Sequence, residues 1–92
     1  MFQDWSRLIR SSILNNMIRE HDRVVLTVSL PSEGLEPGDI GAVVHIYPQS
    51  EGYEIEFVTL TGKTAAVVTV AADQVRPVGS TEIPHARELA HL

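Results

Sequence analysis

The stretch Gly34-Leu35-Glu36-Pro37-Gly38-Asp39-Ile40-Gly41-Ala42-Val43-Val44-His45-Ile46-Tyr47 constrains this chain more than any other. It reads as a sharp turn that runs directly into a β-strand. Pro37 fixes its own φ, and Gly38 is free to take the positive φ that a tight turn often needs. The side chain of Asp39 is of the type that bonds neighbouring backbone N–H groups. Gly41 leaves room for a bulge, or for another backbone, at the strand start. The stretch points to a compact β-structure and to no chemistry.

The rest of the chain follows the same grammar. Residues 23–28 are dominated by β-branched side chains and predict a first strand, with Val24, Leu26 and Val28 on its core face. A long loop with Pro31, Gly34, Pro37 and Gly38 fills 29–39 and is expected to be mobile. A second strand spans 40–47. Residues 48–52 form a hairpin loop. In a third strand, 53–60, Tyr53, Ile55 and Phe57 alternate with Glu54 and Glu56, the pattern of a half-exposed antiparallel strand. Thr61-Gly62-Lys63 is a tight turn, and 64–70 a fourth strand. Residues 71–74 make one helical turn before a brief fifth strand at 75–77, where Pro77 suits an edge or an end. Val24, Leu26, Ile55, Phe57 and Val68 are expected to share one core. The fold class is therefore all-β: a five-stranded SH3-like barrel over residues 17–78.

Two flanking segments complete the chain. Residues 1–16 predict an N-terminal amphipathic helix, because Phe2, Trp5, Leu8, Ile9 and Ile13 recur at spacings of three and four. Its apolar face suits the barrel or a second chain equally, and a third reading is an upstream extension, since Met17 would serve as a start. Residues 79–92 read as a C-terminal tail, loosened by Gly79 and Ser80 and broken by Pro84; a weak terminal helix from His85 is the alternative.

Ninety-two residues make one domain. No apolar run reaches transmembrane or signal-peptide length, so neither a membrane span nor secretion is expected. The absence of cysteine removes disulfides, thiolate nucleophiles and zinc–thiolate sites, and a cytoplasmic location fits. The net charge of −5 sits on residues 17–80, with nine acids against four bases. Nucleic-acid binding needs phosphate-neutralising Lys and Arg, and Lys63 is the single lysine. An acidic barrel suits a basic protein partner better.

The runs Asp22 to Thr27, Leu30-Pro31, Gly34-Leu35, Pro37 to Gly41, Tyr53 to Val58 and Gln74 to Pro77 together resemble the small bacterial proteins of the domain of unknown function 4926 family. The resemblance covers about residues 17–78 and leaves 1–16 outside. It implies a small SH3-like domain, one half of a two-gene partner system, and supplies no catalytic residue.

The side chains themselves add little chemistry. His21, His45, His85 and His91 lack the spacing of a metal site, and His45 is expected to point outward. Glu54 and Glu56 share a strand face, where solvation rather than acid–base work is expected. No serine sits in a nucleophile elbow, and the glycines do not form a phosphate loop. Tyr47, Tyr53 and Phe57 are the candidates for stacking bases, but the acidic field opposes it and Phe57 reads as core. No cofactor, metal or catalytic residue is expected. What remains is a non-enzymatic protein-interaction module for a cognate protein, antitoxin-like or an immunity partner of a neighbouring protein. Its candidate partner-binding residues are Trp5, Ile9, Ile13, Glu54 and Glu56. The rival readings are a nucleic-acid-binding small barrel, which a cluster of Arg19, Arg23, Lys63 and Arg76 would favour, and an accessory subunit of an enzyme.

Overall fold

The computed structural model describes residues 18–90. The expected helix over 1–16 lies outside them. Five strands form one antiparallel sheet: β1 (Arg23–Leu26), β2 (Ile40–Ile46), β3 (Gly52–Val58), β4 (Thr64–Ala71) and β5 (Val75–Pro77). Their order across the sheet is β4-β3-β2-β1-β5. The fold is all-β, as the alternation predicts, but the barrel is not closed. β5 is three residues long and pairs with β1 alone, and Pro77 has no N–H to extend the ladder. β4 and β5 are left as the two edges.

The inner face carries the core. Val24 and Leu26 of β1, Val43 of β2, Tyr53, Ile55 and Phe57 of β3, Val68 and Val70 of β4 and Val75 of β5 form one buried cluster with Ile18 and Leu35. All five expected core residues are in it. Val28 lies beyond the end of β1 and is half-buried against the cluster. Gly41 leaves room for another backbone, as expected, and for core side chains as well. A β-carbon there would run into the side chains of Ile55 and Phe57 and the carbonyl of Glu56, so both exclude a larger residue.

The loop between β1 and β2 is hydrogen-bonded along its length, against the expectation of mobility. Leu30 and Leu35 exchange both backbone bonds, at 3.0 and 3.1 Å. Between them lies a 3-10 turn, Pro31–Glu33. A second turn, Glu36 to Asp39, is closed by the Asp39 N–H on the Glu36 carbonyl at 3.1 Å, with Gly38 at φ 98°. Leu26 bonds to both sides of that turn: its N–H donates to Asp39 and its carbonyl accepts from Gly38, each at 2.8 Å. The turn is thereby fixed to β1.

β2 slips register between Val43 and His45. The bulge puts two consecutive residues, Val44 and His45, on the outside. Ala72–Gln74 forms the helical turn before β5, and the Gln74 side chain accepts from the Ala71 N–H at 2.8 Å.

Candidate functional site

Glu54 and Glu56 occupy alternate positions on β3 and so project from its outer face, opposite the buried Tyr53, Ile55 and Phe57. The register surrounds them. Glu54 faces His45 on β2 and Thr69 on β4, and Glu56 faces Ala42 and Val67. Val58 continues the same row on β3. Val44, Val58 and Val67 are 41%, 51% and 51% exposed. Thr64 donates its hydroxyl to Glu56 at 2.6 Å. At one margin His45 meets Tyr47 edge-on, with ring centres 4.6 Å apart. The ion pairs among the described residues are Arg76–Glu82, Arg87–Glu36 and Arg87–Asp39, and neither Glu54 nor Glu56 belongs to one. The outer face of β2, β3 and β4 is thus a patch of valines around two carboxylates.

The β5–β1–β2 region of that outer face is different. Arg76 on β5 faces Val25 on β1, and Val25 faces Ile40 on β2. Val25 points away from the core cluster, yet it is only 6% exposed. Two anchors of the C-terminal segment straddle it. Glu82 takes a two-pronged ion pair from Arg76, at 2.9 and 2.7 Å, and accepts the Gly79 N–H at 2.6 Å. Arg87 binds Asp39, the residue just before β2, and the carbonyl of Gly34. Residues between the two anchors span from the β5 edge to the start of β2. That distance is two strand spacings, about 10 Å, within the reach of five residues of extended chain. Residues 79–90 contain no helix or strand. The alternative of a terminal helix from His85 is not met within this range, where ion pairs rather than helical bonds hold the segment.

The carboxylates at the anchors are electrostatically tuned. The hydrogen bonds from Arg76 lead, joined by the Gly79 N–H and the Arg76 charge, and they outweigh a small desolvation to hold Glu82 at about 2. For Asp39, burial pushes the pKa up. The bonds from Arg87 and from the Glu36 N–H, with the Arg87 charge, overcome it and leave the group below the ordinary carboxylate range. Burial alone pushes the Tyr53 hydroxyl up.

Of the candidate residues, Glu54 and Glu56 come together on one face, whereas Trp5, Ile9 and Ile13 lie outside the described residues. Tyr53 and Phe57, at 1% and 3% exposure, are core and have no free ring face for a base. The four cations do not form one patch. Arg76 is engaged with Glu82, and Lys63 sits in the β3–β4 turn, separated from β5 by β2 and β1. Among the described residues no three of His, Cys, Asp and Glu are grouped to hold a metal ion, and no helix is long and apolar enough to cross a membrane. The Asp39–Arg87 anchor was not foreseen. Its partners are 48 residues apart, and the only sequence signal is that Arg87 is the single Lys or Arg in residues 81–92.

No curated protein and no solved structure matches this chain. A family model does match, over residues 20–77, which takes in all five strands and stops short of the C-terminal segment. The chain belongs to the family described as Domain of unknown function (DUF4926).

Proposed function

We propose that this protein is a non-enzymatic interaction module that binds a cognate protein through the outer face of β2, β3 and β4. One observation carries the reading: Glu54 and Glu56, outside every ion pair of the described residues, stand among the exposed valines Val44, Val58 and Val67. Apolar area supplies the affinity of such a patch, and the two carboxylates select a partner with Lys or Arg facing them. The chain's net charge of −5 steers the same kind of partner. The strand order, with a helical turn before the last strand, supports an SH3-like reading of the module. An antitoxin-like or immunity role is the biological form that this chemistry fits.

The test is affinity capture from native cells with the full chain and with a Glu54→Lys, Glu56→Lys variant, alongside a Leu60→Ser control at the exposed tip of the β3–β4 turn. One protein retained by the wild-type and control chains and lost with the double variant is the expected result. If the double variant retains everything that the wild type retains, the face is not the binding surface.

A further inference from the structure

The β1–β2 loop already holds a guanidinium group. Arg87 Nε donates to Asp39 Oδ1 at 2.9 Å, and Nη2 donates to Asp39 Oδ2 at 2.6 Å and to the Gly34 carbonyl at 2.9 Å. Nη1 lies 3.6 Å from a Glu36 carboxylate oxygen. Two N–H groups on one carboxylate, with a third acceptor beside them, is a fork geometry that the point charge of lysine does not reproduce.

Two of the acceptors, Asp39 and the Gly34 carbonyl, are positioned by the loop and not by Arg87. Asp39 Oδ2 accepts the Glu36 N–H at 2.8 Å, and the Asp39 backbone is tied to Leu26. The Leu30–Leu35 bridge sets the height of Gly34. The segment that carries Arg87 is more lightly held, although the Arg87 side chain itself is 30% exposed. Residues 80–88 are all exposed, and Ile83 is 85% exposed. Beside the guanidinium an open cleft of about 450 Å³ runs between Ser29, Pro31 and Leu35 of the loop and Leu89 of the tail. A pre-set acceptor cage, a lightly tethered occupant and adjoining space are the properties of an exchangeable site.

We propose that Asp39, the Gly34 carbonyl and Glu36 form an arginine-recognition socket for an extended, arginine-bearing segment of a partner protein, and that Arg87 fills it from within the chain until that segment displaces the tail. The socket lies on the loop and does not depend on the face that carries Glu54 and Glu56.

A labelled peptide of this chain's residues 81–90, Thr-Glu-Ile-Pro-His-Ala-Arg-Glu-Leu-Ala, added in trans, tests the proposal by fluorescence anisotropy. The Arg87→Ala full chain should bind it at least about tenfold tighter than the native full chain, the scale of one charge-assisted pair. The same peptide with lysine for arginine should bind the Arg87→Ala chain several-fold more weakly. Asp39→Asn in the Arg87→Ala background should remove binding, and Glu54→Gln should not. If Asp39→Asn does not fold, the Arg87 Nε–H resonance of the native chain serves instead: it should move to its free position as the peptide is added in excess. The proposal is overturned if the Arg87→Ala chain binds no better than the native chain, if it does not bind at all, or if the arginine and lysine peptides bind it alike.

Discussion

Two regions of the sheet's outer face are built from similar residues and end differently. On β1, Val25 points outward between Arg76 and Ile40 and is 6% exposed; on β4, Val67 points outward beside Glu56 and is 51% exposed. Among the described residues the C-terminal segment is pinned at Arg76, beside Val25, and at Asp39, next to Ile40, and has no such anchor in the β2–β3–β4 region. A small domain leaves much of its surface uncovered, and here the uncovered region is an apolar patch with two carboxylates inside it.

The comparison has an internal reference in the core that both regions share. Phe57→Ala should destabilise by about 3–5 kcal/mol in a urea titration, since Phe57 is 3% exposed and packs in the common cluster. A loss under 1 kcal/mol would mean that the inner face is not the core. Gly41→Ala should cost about 1–3 kcal/mol by overpacking, because the new methyl meets Ile55 and Phe57. An unchanged midpoint would show that β2 and β3 sit further apart than described.

The regions themselves are compared by one substitution made twice. Val25→Ala should cost about 1.5 kcal/mol, the transfer of two buried carbon groups, whereas Val67→Ala should stay within about 0.5 kcal/mol. Equal costs would erase the distinction. A smaller effect follows acid. Glu82 drops from an ordinary value near 4.5 to about 2 in the folded chain, and Asp39 is lowered too. A depressed carboxylate stabilises fully above its unfolded value and loses that contribution as pH falls through the folded one. The tail anchors should thus weaken progressively from about pH 4.5 towards 2. The Glu82 carboxyl, followed by NMR over that range, should titrate near 2, and an ordinary titration near 4.5 would remove the Arg76 anchor.

Much of the sheet was legible because its signals are local. The Tyr53-Glu54-Ile55-Glu56-Phe57 alternation fixes which side of β3 is buried, and Pro37-Gly38-Asp39 carries its own turn chemistry. Glu54 and Glu56 followed from the same alternation. Val67 was within reach, being the neighbour of the core residue Val68. What was not legible depends on contacts distant in sequence. Val25 looks like an exposed alternate position, because its strand partners Ile40 and Arg76 are distant in sequence. The β2 bulge breaks the alternation at Val44 without a glycine to announce it. The order of the 29–39 loop rests on a backbone bridge between Leu30 and Leu35, and backbone bonds leave little trace in side-chain pattern. The failure of the barrel to close is a matter of β4 and β5 not pairing, which the strand pattern does not decide even though β5 itself is legible at 75–77.

One region of the outer face is covered at Val25 and the other is open at Val67, and the C-terminal segment is the expected cover. Methyl NMR with a soluble nitroxide reads both at once in the native full chain. The Val44, Val58 and Val67 methyls should broaden strongly and the Val25 methyls should be protected, with Arg87→Ala removing that protection. Val25 broadened as much as Val67 in the native chain, or Val67 as protected as Val25, would contradict the account.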